Sequence, residues 1–458
     1  MPRTTALPTR VLPPTAALCA AVAVLACSDY AGSSGAREPP EFAIASSSGD
    51  EETIVVAFRD SVGPSDRALL SSLTSRPFVY TFRGIPAITI RARSAALASL
   101  RVHPRVLFAQ TPAPMYATEE VTGWHFQNVP SGHGILRIQN DTAYGYARWG
   151  AGIGVAVIGT RVNCNINDYS WGIPHWSGNS LGCAGGADFT GEGTPFTDVY
   201  GLATYPYVLR GHETKVASLI LAAAANDAQI RGIGPQVTLY SLRIFDSSDH
   251  MDCARSASAI DFATYDLSTI VSVINASYGR FADDDADKTY YEEHCYTEKW
   301  AVANAVNAGL FIAASAGNLA RNFCSTCGDS VYYPARLPGV AAVSGLTSGP
   351  TFWSGSSRGS QVTFAASATN MAVVHPGNYV EYVQGTSFAA PVVAGIVAAI
   401  QSRYNLPRTG QCMLTHLRAT AYTRSGWSSE FYGAGMVDGY RAWSTPLAND
   451  PSCVPGPQ

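Results

Sequence analysis

From Gly152 onward the chain alternates short, mainly apolar runs with stretches of helical periodicity, and no other feature limits the fold as much. Residues 154–158, 310–315 and 340–344 are almost wholly apolar, and 237–244 and 271–275 are mostly apolar with Thr238, Ser241, Arg243, Ser272 and Asn275 interspersed. They read as strands covered on both faces, the pattern of a parallel sheet between helices. Helices are expected to start at Gly211, near Ala254, near Trp300 and at Thr386; in the first, Val216, Leu219, Ile220 and Ala223 recur at helical spacing. The expectation is an α/β domain over 111–445 with a mainly parallel central sheet and helices on both faces. With 458 residues, 47% of them hydrophobic, the chain has core enough for that domain and smaller pieces.

Ahead of it, residues 52–110 read strand (53–58), helix (64–73), strand (78–82), strand (87–92), helix (94–102), strand (105–109), the order of a small ferredoxin-like α+β domain. Thr111-Pro112-Ala113-Pro114 reads as a linker. At the start, Arg3 and Arg10 precede an apolar run over 15–26, too short to span a bilayer and suited to a signal peptide over 1–27. Val24-Leu25-Ala26-Cys27 resembles a bacterial lipobox, in which the cysteine is acylated; the other reading is an ordinary signal peptide with a chance cysteine. A Ser/Gly-rich tether follows over 28–51, and 446–458 forms a C-terminal tail. Export, to the medium or the cell envelope of a bacterium, is the expected outcome.

Eight cysteines remain beyond Cys19 and Cys27: Cys164, Cys183, Cys253, Cys295, Cys324, Cys327, Cys412 and Cys453. An even set in an exported chain favours disulfides, and a lone C-x-x-C at 324–327 is a poor zinc site. Spacing does not fix the pairing; pairing of sequence neighbours is the simplest scheme. A net charge of −4 without a dense basic run argues against nucleic acid as partner.

Three motifs carry chemistry. Gly385-Thr386-Ser387 puts a serine on a tight turn at the mouth of a small-residue helix. A hydroxyl there attacks only if a base takes its proton and donors await the oxyanion. His212, in Gly211-His212-Glu213-Thr214-Lys215, opens a helix, and Asn318, in Ala316-Gly317-Asn318, closes a buried strand. G-x-S-x-G is absent around Ser387, against an α/β-hydrolase elbow. In this order, together with Gly232-Ile233-Gly234-Pro235, Ser277-Tyr278-Gly279, Tyr333-Pro334-Ala335 and Gly433-Ala434-Gly435-Met436, the motifs resemble a subtilisin-like serine protease over about 123–443.

The resemblance implies a subtilisin-like fold and a serine endopeptidase acting on peptides or proteins, with Ser387 as nucleophile, His212 as base and Asn318 as oxyanion donor. Ser277, Tyr278, Gly279 and Ala314, Ser315, Ala316, Gly317 would border the specificity pocket. It also implies that 52–110 is an inhibitory propeptide released near residues 110–113, and that the enzyme is a monomer needing no cofactor for its chemistry. Structural calcium is a further expectation, for which Asp283-Asp284-Asp285-Ala286-Asp287 is one candidate and a solvated acidic loop the other reading; no metal ligands are assigned.

One position departs from the pattern. Where the family has its orienting aspartate, in V-A-V-I-D-T-G-V, this chain reads Val155-Ala156-Val157-Ile158-Gly159-Thr160-Arg161-Val162. Glu213 and Lys215 likewise replace the Gly and His of H-G-T-H. Loss of the triad aspartate lowers turnover by about four orders of magnitude in related enzymes. Glu213 is expected to point elsewhere, Asp168 matches a different landmark, and Arg161 and Lys215 add cations near the cleft. The sequence therefore predicts an attenuated protease, with a peptide-binding pseudoprotease as the alternative, and predicts that Gly159→Asp raises turnover.

Overall fold

Val155 and Val157 face one way along their strand and Ala156 and Ile158 the other, and all four are buried. A strand covered on both sides needs a helical layer over each face. The computed structural model describes residues 51–74, 76–117, 150–164, 183–193, 211–221, 232–282, 285–318, 330–347, 349–376, 379–447 and 453.

In the amino-terminal unit, β1 (Glu51–Phe58), α1 (Pro64–Leu73), β2 (Tyr80–Thr81), β3 (Ala87–Arg93), α2 (Ala95–Arg101) and β4 (Val106–Gln110) follow the expected order. The strands lie as β2-β3-β1-β4, around a core of Ile54, Val56, Phe58, Leu70, Ile88, Leu100 and Val106. β5 (Pro114–Ala117) comes next. The large domain then runs β6 (Gly154–Gly159), β7 (Gly185–Asp188), α3 (His212–Leu221), β8 (Thr238–Arg243), β9 (Met251–Asp252), α4 (Cys253–Tyr265), β10 (Val271–Ala276) and β11 (Tyr278–Gly279). It continues through α5 (Asp285–His294), α6 (Tyr296–Asn307), β12 (Phe311–Ser315), β13 (Val340–Leu346), β14 (Val362–Ser367), β15 (Met371–His375) and β16 (Tyr379–Val383). The helices α7 (Thr386–Tyr404), α8 (Gly410–Thr420), α9 (Ser429–Tyr432) and α10 (Gly439–Ser444) complete it.

Among the described residues seven strands form the central sheet, in the order β14-β13-β12-β10-β6-β8-β7, and every neighbouring pair is parallel. Val155, Val157, Val273 and Ala313 pack against α3 and α7 through Val216, Ile220, Phe388 and Val393. Ala156, Ile158, Ile274 and Ile312 pack on the other face against Ala257 and Ile260 of α4 and Val302 and Ala305 of α6. After β6 the chain builds β7 and β8 to one side and then returns to lay β10 on the other. That reversal opens a crevice at the carboxyl ends of β6 and β10, where sheets of this kind hold their ligands. Among the described residues no helix is long and apolar enough to cross a membrane.

Candidate active site

α7 is apolar almost throughout and carries Pro391 in its second turn. Proline has no N–H, so the carbonyl four residues back, that of Ser387, loses its intrahelical partner. Ser277 Oγ donates to that carbonyl at 2.8 Å and accepts from Asn275 Nδ2 at 2.9 Å. The start of α7 is thus tied to the end of β10. Gly385 enters the helix at φ 144° and ψ 152°, a conformation that side-chain-bearing residues rarely adopt. Ser387 is buried, its Oγ 3.4 Å from the Ser277 carbonyl. At the end of β12, Asn318 Oδ1 accepts from both N and Oγ1 of Thr386, each at 2.8 Å. With its oxygen end held there, the amide's NH2 end is turned away from Thr386.

His212 is the first residue of α3 and is buried; its ring lies 5.9 Å from that of Phe388, the neighbour of Ser387. The adjacent residue corrects the sequence expectation. Glu213 does not point elsewhere: its Oε1 is 2.7 Å from His212 Nδ1, and both side chains are buried. Its Oε2 accepts from Thr160 N at 2.5 Å and from the Thr160 hydroxyl. The carboxylate lies in the first turn of α3, where the helix dipole favours negative charge. A carboxylate only accepts, so Nδ1 carries the proton and Nε2 is left as the basic nitrogen.

Gly159, the last residue of β6, is the other half of this arrangement. A Cβ built there would stand 1.9 Å from Glu213 Oε1 and 2.1 Å from its Cδ. The expectation that Gly159→Asp repairs the site therefore does not hold, because Glu213 already fills the space. Lys215 pairs with Glu381 at 3.2 Å, so its charge is matched within the fold, and Arg161 is buried.

β5 lies between two strands of the crevice rim. Tyr278 pairs with Ala117 and Gly279 with Tyr116 on one side; Pro114 pairs with Asp252 and Met115 with Met251 on the other. All these pairings are antiparallel. The Met115 side chain is buried. Around the release point expected near 110–113 the chain is packed against the large domain. Gln110 Nε2 donates to the His294 carbonyl at 2.7 Å, Ala113 accepts from Cys253 N at 2.9 Å, and Pro112 is buried.

Ala314, Ser315, Ala316 and Gly317 are buried at the end of β12. Tyr278 offers the cleft its backbone, for its hydroxyl turns inward, 2.8 Å from Ser256 Oγ. Three disulfides join sequence neighbours, Cys164–Cys183, Cys253–Cys295 and Cys412–Cys453; Cys324 and Cys327, Asp168, Asp283 and Asp284 lie outside the described residues. Asp285 and Asp287 sit in the first turn of α5, so part of the expected acidic loop is a helix start. Sequence reasoning also missed Glu298, a buried carboxylate receiving hydrogen bonds from Ser256 and from Tyr291, the latter at 2.5 Å. Burial raises its pKa to about 7. Nothing in the local sequence marks it, because its partners come from two other helices.

A parallel sheet with a buried serine and histidine and a half-buried asparagine at one rim defines a class of hydrolase fold, and comparison places the chain within it. The subtilase family model (peptidase family S8) matches residues 152–435, and the chain belongs to that family. It is 30% identical over 313 residues to subtilisin of Bacillus pumilus, covering 68% of this chain and 98% of that one. It is 27% identical over 364 residues to a thermostable alkaline protease of Halalkalibacterium halodurans, covering 80% and 85% respectively. Among solved structures, fervidolysin from Fervidobacterium pennivorans, a keratinolytic enzyme related to subtilisin, superposes with a TM-score of 0.63 at 21% identity, over 87% of this chain and 62% of that one. The epidermin leader peptide processing serine protease of Staphylococcus aureus gives 0.64 at 16% identity, over 87% and 100%.

Proposed function

We propose that this subtilase is an exported serine endopeptidase made as a precursor, in which residues 52–110 are an inhibitory propeptide and β5 is the strand by which that propeptide fills the cleft. The observation that carries the reading is the position of β5, a peptide strand paired on both edges along the rim that leads to Ser277 and Ser387. Extended peptides bind such edges through main-chain hydrogen bonds, and buried side chains such as Met115 supply selectivity. In a bound substrate, Ser387 Oγ attacks the scissile carbonyl carbon while His212 Nε2 takes the hydroxyl proton. Asn318 and the start of α7 donate to the oxyanion. Collapse breaks the C–N bond, the departing amine takes the proton from His212, and water repeats the sequence on the acyl-Ser387 ester.

Release of the propeptide then falls at a bond beyond Ala117. Edman sequencing of the mature protein checks this; an N-terminus beyond Ala117 in wild type, and an intact precursor in Ser387→Ala, are expected. A wild-type chain that stays whole and takes up no fluorophosphonate would replace the enzyme by a peptide-binding relative.

A further inference from the structure

We propose that Glu213 is the residue that positions His212, and that Gly159 is what admits it: relative to the family pattern the carboxylate has moved from the end of β6 to the first turn of α3, and the glycine has moved the other way. This rests on the endopeptidase reading and deepens it.

Two departures that look unrelated in the sequence are one exchange. The family pairs a strand-end aspartate with a glycine after its histidine, whereas this chain pairs Gly159 with Glu213. In the fold the two positions share a single space. The three atoms nearest a Cβ on Gly159 all belong to the Glu213 side chain, at 1.9, 2.1 and 2.7 Å. The longer glutamate reaches from α3 to the point that a shorter carboxylate would reach from β6. There it meets what an orienting carboxylate needs. Oε1 takes the Nδ1 proton of His212 at 2.7 Å, and Oε2 is fixed by the amide and hydroxyl of Thr160. Burial excludes water from the pair, so the carboxylate fixes the tautomer and stabilises the imidazolium that forms when Ser387 gives up its proton. Gly159 alone therefore does not make the enzyme weak. Gly159→Asp would set a second carboxylate against the first, through steric overlap and like charge.

The test uses the full-length precursor and follows its self-release by intact mass, then peptide hydrolysis by the matured fraction. Glu213→Gln keeps the shape and removes the charge; Gly159→Ala keeps Glu213 and pushes its carboxylate off the histidine. Each is expected to slow self-release by about 10²–10⁴-fold, up to about the 3 × 10⁴-fold that subtilisin loses in kcat with its triad aspartate, with KM of the matured fraction unchanged within about threefold. The exchange Gly159→Asp with Glu213→Gly is expected to recover self-release to within about tenfold of wild type, a rescue that a merely structural Glu213 would not allow. The inference is overturned if Glu213→Gln releases within about threefold of wild type, or if the exchanged protein melts cooperatively yet is no faster than Glu213→Gln. A wild type that neither releases nor reacts with fluorophosphonate overturns the endopeptidase reading, and this inference with it. Activity in wild type that survives Glu213→Gln sinks only the inference.

Discussion

One amide at Asn318 serves two ends. Its oxygen pins Thr386 and so fixes the start of α7, while its nitrogen is the group proposed to meet the oxyanion. Asn318→Asp separates the two, because an aspartate still accepts from Thr386 but puts negative charge where a donor belongs. Steady-state kinetics should show kcat falling by at least about 10²-fold with KM little changed, subtilisin's own loss on removing its oxyanion asparagine being 10²–10³-fold. A Tm close to wild type would show that the anchor survives. The placement of Ser387, His212 and Asn318 was legible because each lies in a motif whose geometry is local, a turn into a helix or the exit from a buried strand. Glu213 was not. Its meaning depends on a missing side chain at Gly159, far away in sequence, and a helical neighbour of the histidine gives no hint that it turns back toward β6.

At the level of elements, β6, β12 and β13 were legible because each is buried on both faces and shows as a nearly unbroken apolar run, and β8 and β10 because apolar residues prevail in them despite Thr238, Ser241, Arg243, Ser272 and Asn275. β7, Gly-Gly-Ala-Asp, is an edge strand with no such run, and the β15–β16 hairpin takes its place from tertiary pairing. α4, α5 and α6 meet around Glu298, whose neighbours Ser256, Tyr278 and Tyr291 link the helices to the cleft strand β11. Its pKa is raised from 4.5 to about 7, chiefly by burial. Between those values the folded protein holds a proton that the unfolded chain has lost, so stability falls as pH rises through this window. The full shift corresponds to about 3 kcal/mol. Urea unfolding of wild type and Glu298→Gln between pH 4.5 and 7 should show a declining contribution in wild type that is absent in the variant. Parallel pH profiles for the two proteins would refute the assignment.

Across the whole molecule, the amino-terminal unit grips the large domain through α4 and α6. Asp261 of α4 accepts from Arg83 N at 2.9 Å, Gly84 N at 3.1 Å and the Tyr80 hydroxyl at 3.1 Å. Phe108 packs against Trp300 with ring centres 5.8 Å apart. Removing the carboxylate strands two backbone donors at this contact, at roughly 1–3 kcal/mol each when buried. Asp261→Ala should weaken retention of the cleaved unit on the body by at least about tenfold, read by calorimetry of the separated pieces. Equal affinities would show that the apolar contacts alone hold it.

Within the large domain runs β5, flanked by Met251–Asp252 and Tyr278–Gly279. If that strand departs with the proposed propeptide, a slot is left with an unsatisfied backbone edge on each wall. Such walls read peptide geometry and ignore most side chains, so the emptied molecule offers a berth to any extended segment, including one from another copy of itself. Each wall is only two residues long, and that brevity keeps so hungry a slot from seeding aggregates.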